Sequence, residues 1–125
     1  MSARTIMFGM LVLAAPLAPL AARTQQATDA ARVSEHGKDL LAQYGCGACH
    51  VIPGVDRAVG RVGPSLATIG HGVYIAGSLP NTPDLLAAWI RTPQTIQPRS
   101  GMPNLGVSEP DARAMVAYFY ALTGE

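Results

Sequence analysis

Cys46-Gly47-Ala48-Cys49-His50 is the stretch whose reading decides the fold of this chain. A Cys-x-x-Cys-His run is the attachment signature of a covalently bound haem. Each residue in it has a chemical task. The two thiols add across the two vinyl groups of a porphyrin and form thioether bonds that do not dissociate. The two intervening residues make about one helical turn, which suits the separation of the vinyls. His50 follows directly, so its imidazole falls beneath the macrocycle and reaches the iron.

Other chemistries use parts of the same motif. A thioredoxin-like dithiol is one, but it wants a βαβ context, and none surrounds residue 46. Half of a zinc site is another. Structural zinc takes four protein ligands. Cys46, Cys49 and His50 supply three, so His36 or His71 would have to be the fourth. A disulfide across two residues would be strained. The rest of the chain has to choose between these readings and haem.

The chain has 125 residues and a formal charge of +1. Its start reads as a targeting segment. Arg4 is a basic n-region, Ile6 to Leu20 an apolar run broken by Pro16 and Pro19, and Ala18, Ala21 and Ala22 are small residues at its end. Residues 1–22 are therefore expected to be a secretory signal peptide, or an N-terminal anchor if they are retained. The run is short for a membrane span. Residues 23–33, polar and Ala-rich, read as a flexible tether, and residues 34–125 as one domain. Export fits the motif, because bacteria attach covalent haem outside the cytoplasmic membrane; the expected location is periplasmic. The near-neutral charge carries no basic stripe and excludes nucleic-acid binding. Arg57, Arg61, Arg91 and Arg99 read as solvated surface. About a hundred residues make a small core. A buried haem, at about 25 cal/mol per Å² of apolar surface, would be much of its stability.

The coarse elements are helical. Ser34 caps a helix running through Leu40 and Leu41 towards Tyr44. From Val51 to Asn81 the chain is rich in Gly and Pro and reads as loop with one short helical turn. Long loops of this kind are usually tied to a function, and wrapping a haem supplies one. Thr82-Pro83-Asp84 starts a helix with Leu85, Leu86, Trp89 and Ile90 on its apolar face, ended by Pro93. Thr92 to Val107 reads as a second loop. Ser108-Glu109-Pro110-Asp111 opens the last helix, with Ala112, Met115, Val116, Phe119 and Leu122 at helical spacing and Gly124 closing it. No strand pattern or repeat is visible.

A haem iron held by one His has a second axial position. The candidates for it are His36, His71, Met102 and Met115. Met115 sits on the apolar stripe of the last helix, where a Met is normally core. Met102 lies in Arg99-Ser100-Gly101-Met102-Pro103, where no helical stripe accounts for an apolar side chain. With a haem present, Met102 is the favoured ligand.

Cys46 to His50, Gly63-Pro64-Ser65-Leu66, Trp89-Ile90, Pro93, Met102-Pro103 and the last amphipathic helix, in this order, resemble the class I cytochromes c. The resemblance runs from about Ser34 to Leu122. It implies an all-α cytochrome c fold, with three main helices, short helical turns and long loops wrapped around one haem c. Tyr74-Ile75-Ala76-Gly77 and Leu79-Pro80-Asn81-Thr82-Pro83 are similar to modules found with bacterial terminal oxidases and periplasmic dehydrogenases. The resemblance implies His50 and Met102 as axial ligands. It also implies that Pro64 sits beside His50, with the preceding backbone carbonyl region accepting the ring Nδ1–H. Gly37 and Tyr118 match positions where the first and last helices cross. Trp89 matches an aromatic position on the Met side. Ser100 matches a hydroxyl residue near a propionate. His71 stands where relatives carry an Arg near a propionate.

The expected function is one-electron transfer, with no catalytic residue. The expected partners are redox proteins: a dehydrogenase or quinol-oxidising complex on one side, a terminal oxidase or cytochrome complex on the other. A membrane enters only through a retained N-terminus or a partner complex. The rival readings are an open-site haem enzyme or gas sensor, using His36 or His71 distally, and a thiol or metal module without haem.

Overall fold

Helix α1 (Ala18–Gln43) stops at a glycine. Gly45 has φ 72°, the left-handed conformation that glycine adopts without a Cβ penalty. The chain turns there, Tyr44 and Gly45 closing back on the carbonyls of Leu40 and Ala42. A single 3₁₀ turn, Cys46–Ala48, follows at once. The structure, a computed structural model, describes residues 18–122.

α1 begins sixteen residues before the expected cap at Ser34. The stretch expected as a flexible tether, residues 23–33, is helical, and every residue in it is exposed. It has no apolar stripe to bury. Local terms hold it instead: Ala, Gln and Arg favour helix, and Arg32 pairs with Asp29 at 3.9 Å one turn away. Most of the proposed targeting segment lies outside the described residues. No helix among the described residues is long and apolar enough to cross a membrane.

The loop after His50 folds back on the motif. Gly60 N–H donates to Gly47 C=O at 3.1 Å, and Gly63 N–H donates to Cys49 C=O at 2.8 Å. A second 3₁₀ turn, Ile69–His71, is the helical turn expected in the loop. It leads into a two-residue antiparallel pair, β1 (Tyr74–Ile75) and β2 (Leu79–Pro80), in the register Ile75 to Leu79. This pair is too short to leave a pattern in sequence.

α2 (Pro83–Arg91) starts as expected, with the Thr82 hydroxyl accepting Leu85 N–H and Pro83 in the first turn. Pro93 does not open a plain loop: it begins α3 (Pro93–Ile96), a single turn. α4 (Glu109–Ala121) is capped by Ser108, whose hydroxyl accepts Asp111 N–H. Such caps are worth about 1 kcal/mol. The expected stop at Gly124 lies outside the described residues.

The core forms where α1 crosses α4. Leu40 and Leu41 of α1 pack with Ala112, Met115, Val116 and Phe119 of α4, and α2 adds Leu86, Ala87 and Ile90. Gly37 lies at the crossing as expected: a Cβ there would sit 1.9 Å from Ala114 O. Tyr118 is buried on α4 and also ties it to the loop, donating to Pro53 O at 2.5 Å. Tyr120 donates to Asn81 Oδ1 at 3.0 Å, and Asn81 Nδ2 donates to Gly72 O at 2.8 Å. The irregular segments are thus bound to the last helix.

A further tie joins the ends of α1 and α4. Tyr44 OH donates to Asp111 Oδ2 at 2.8 Å. That bond, and then Ser108, hold the Asp111 carboxyl below its ordinary value, while Asp111 and desolvation hold the Tyr44 phenol above its own. A lowered carboxyl stabilises the fold above the ordinary carboxylate range and loses that contribution as pH falls through the lowered value. Tyr44→Phe is therefore expected to lower the urea midpoint at neutral pH. The difference from the parent should shrink on acidification as Asp111 takes up a proton. Equal midpoints at neutral pH would show that the bond contributes nothing.

Candidate functional site

The motif, the two loops and three helices enclose a cleft of about 500 Å³. This is within the usual range for a small-molecule or cofactor site. Cys46, Cys49 and His50 line it from the motif turn, and Gly63, Pro64 and Leu66 from the loop that folds back. Leu41 and Phe119 come from the α1–α4 crossing, Leu86, Trp89 and Ile90 from α2, and Ser100, Met102 and Leu105 from the second loop. The walls are almost wholly apolar side chains. Such walls exclude water and suit a flat apolar cofactor.

His50 is held in one tautomer. Its Nδ1 lies 2.7 Å from Pro64 O. A carbonyl oxygen only accepts, so Nδ1 carries the proton and Nε2 keeps its lone pair for a metal. The acceptor is Pro64's own carbonyl rather than the one before it. Gly63 lies close against the ring: a Cβ there would be 2.3 Å from His50 Cε1 and 2.7 Å from Nδ1. The imidazole is thus fixed by a hydrogen bond at Nδ1 and by the close approach of the Gly63 backbone.

Cys46 and Cys49 are half-buried and unbridged. Burial pushes the Cys46 thiol above its ordinary value, so it stays protonated at neutral pH until it reacts. Among the described residues no group of three or more His, Cys, Asp and Glu is placed to hold a metal ion. The zinc reading of the motif therefore finds no fourth ligand there.

Of the four candidates for a second axial ligand, Met102 alone lines the cleft. Met115 is fully buried in the core. His36 is exposed on α1 and outside the cleft. His71 is outside it too: its Nε2 bonds to the Leu122 carbonyl oxygen. The 3₁₀ turn that carries His71 packs on α4.

Trp89 and Ser100 both line the cleft. The Trp89 indole makes no hydrogen bond among the described residues. The Ser100 hydroxyl accepts Met102 N–H at 3.1 Å. Two residues escaped the sequence reading. Gly63 was visible only as part of a Gly-Pro pair, and its contact with His50 needs the loop to fold back. Gln94 Nε2 donates to Met102 O at 2.5 Å, and nothing local in the sequence marks it.

The thiols, the oriented imidazole and the apolar walls fit a covalently attached haem. Comparison with known proteins agrees. A cytochrome c oxidase subunit 2 of Alkalihalophilus pseudofirmus is 33% identical over 91 residues, which are 72% of this chain and 26% of that protein. A cytochrome c oxidase subunit 2 of Bacillus subtilis is 24% identical over 107 residues, 82% of this chain and 30% of that protein. The chain spans less than a third of the length of these curated relatives. No solved structure matches it. The family model described as Cytochrome c matches residues 34–123, a span that contains every residue lining the cleft. The chain belongs to the cytochrome c family, whose members carry haem c and transfer electrons.

Proposed function

We infer that the protein is an exported carrier with one haem, ligated by His50 and Met102. It passes single electrons from a dehydrogenase or quinol-oxidising complex to a terminal oxidase. The observation that supports the ligand set most is the cleft itself. Met102 shares it with Cys46, Cys49 and His50, while the other three candidates lie elsewhere. The cysteine count supports one haem, since the chain has two and the motif uses both. The names of the two relatives support an oxidase as acceptor. The targeting segment at residues 1–22, or its retention as an anchor, supports a place on the outer side of the cytoplasmic membrane.

When bound, haem supplies a one-electron iron couple. The protein's residues set the conditions around it. His50, with Nδ1–H held by Pro64 O, offers Nε2 in a fixed direction and with increased donor strength. Met102 offers a thioether, a soft and weak donor that favours the ferrous state and raises the reduction potential. The apolar walls keep water away and act in the same direction. With His50 and Met102 both holding the iron, the chain would leave no open position for oxygen or peroxide.

Carbon monoxide tests this reading. The reduced protein at neutral pH is expected to bind it negligibly, followed by the absorption spectrum. Rapid, stoichiometric binding would mean an open distal side and favour a gas sensor or peroxidase-like site.

A further inference from the structure

Met102 sits in a loop without a backbone ladder. Among the described residues, no backbone–backbone hydrogen bond involves positions 101–107. Two side chains replace it. Gln94 Nε2 donates to the Met102 carbonyl at 2.5 Å, and the Ser100 hydroxyl accepts Met102 N–H at 3.1 Å. Ser100 N–H donates in turn to Gln97 O at 2.9 Å, at the end of α3. Both backbone groups of Met102 therefore lead back to one short helix.

That helix is itself anchored. Pro93 is among the fully buried side chains. Gln97 N–H closes on Pro93 O at 2.8 Å. Gln97 Nε2 donates to Ala76 O at 2.5 Å, holding a cleft-lining residue whose φ is 51°. A left-handed Ala is a strained position that persists only where its surroundings hold it. Gln94 of α3 and Gln97 at its C-terminal cap, three residues apart, thus secure two separate cleft-lining segments.

We propose that Gln94 is a positioning residue for Met102, holding the loop so that the thioether is already in place for the iron. The proposal rests on the His50/Met102 ligand set. Its physical reason is that a thioether is a weak ligand, weakest towards ferric iron. A loop free to move would lose backbone entropy each time the bond formed. A loop already fixed through both backbone groups of the ligand residue loses much less. The clamp matters most in the oxidised protein, where the iron–sulfur bond is least able to hold the loop alone.

Imidazole provides the test, because it competes with Met102 for ferric iron. The purified haem-loaded protein is titrated in its oxidised form, following the far-red sulfur-to-iron absorption. Gln94→Leu removes the donor and should raise the apparent imidazole affinity by about two- to tenfold, the worth of one neutral hydrogen bond. Gln94→Glu sets an acceptor against the Met102 carbonyl and should raise it further. Thr95→Glu charges an exposed neighbour on the same helix and should titrate like the parent. Parental affinity in both Gln94 variants would overturn the proposal, and so would an equal rise in Thr95→Glu. If the parent lacks the sulfur absorption and Met102→Ala binds imidazole no more tightly, the ligand set itself fails and the clamp with it. Those two failures are distinguishable, since the first leaves the parent's sulfur band intact.

Discussion

Met102→Ala is expected to open the iron to external ligands and to lower the reduction potential. Axial-ligand identity spans about 0.8 V across haem proteins, so replacing a thioether by water or hydroxide moves the potential by a large part of that scale. The direction follows from softness: the thioether favours ferrous iron, and its removal takes that preference away. Carbon monoxide should then bind the reduced variant rapidly and stoichiometrically. Met115→Leu is the matched control. Met115 is fully buried in the α1–α4 core and does not line the cleft. Its replacement conserves volume and should leave the potential near that of the parent. An unchanged potential in Met102→Ala, with no carbon monoxide binding, would refute the assignment. A large shift in Met115→Leu would point to the wrong methionine.

Gly37→Ala is expected to destabilise the protein although alanine is the better helix former. In an unobstructed helix interior the change gains about 1 kcal/mol. At this position the new Cβ would lie 1.9 Å from Ala114 O, 2.4 Å from Ala114 C and 2.9 Å from Met115 N. All three are backbone atoms of α4, so no side-chain rotamer relieves the clash and the helices must move apart. Overpacking of this kind costs about 1–3 kcal/mol. For a domain of this size each kcal/mol lowers Tm by about 4–8 °C. A circular-dichroism melt of the haem-loaded protein measures it. The loss should reach the site as well, since Leu41 and Phe119 line the cleft from the two crossing helices. A Tm equal to or above the parent's would mean that the crossing yields easily and that Gly37 is not required there.

Local chemistry accounts for what was legible along the chain. The Thr82 and Ser108 caps, with Pro83 and Pro110 in the first turns, lie where their residue types require. The α4 stripe of Ala112, Met115, Val116 and Phe119 is buried as its spacing demands. Local propensity was also enough to carry α1 back to Ala18, but without an apolar stripe that stretch reads as tether. The β1–β2 pair and the turn of α3 were not visible, because two to four residues carry no period.

The sequence by itself determined the cofactor chemistry. Two thiols and an imidazole within five consecutive residues are brought together by one turn of chain, with no help from distant contacts. It also narrowed the second ligand to a few side chains. Tertiary structure alone decided which of these share a cleft with His50. It placed His71 against α4, buried Met115 in the core and left Met102 on the wall. It also brought Pro64 O to His50 Nδ1 across fourteen residues and Gln94 to Met102 O across eight. Neither separation has a fixed geometry in an irregular loop. Those contacts exist only after the α1–α4 crossing and the returning loops have set where each segment lies, and this is why spacing along the chain could not foretell them.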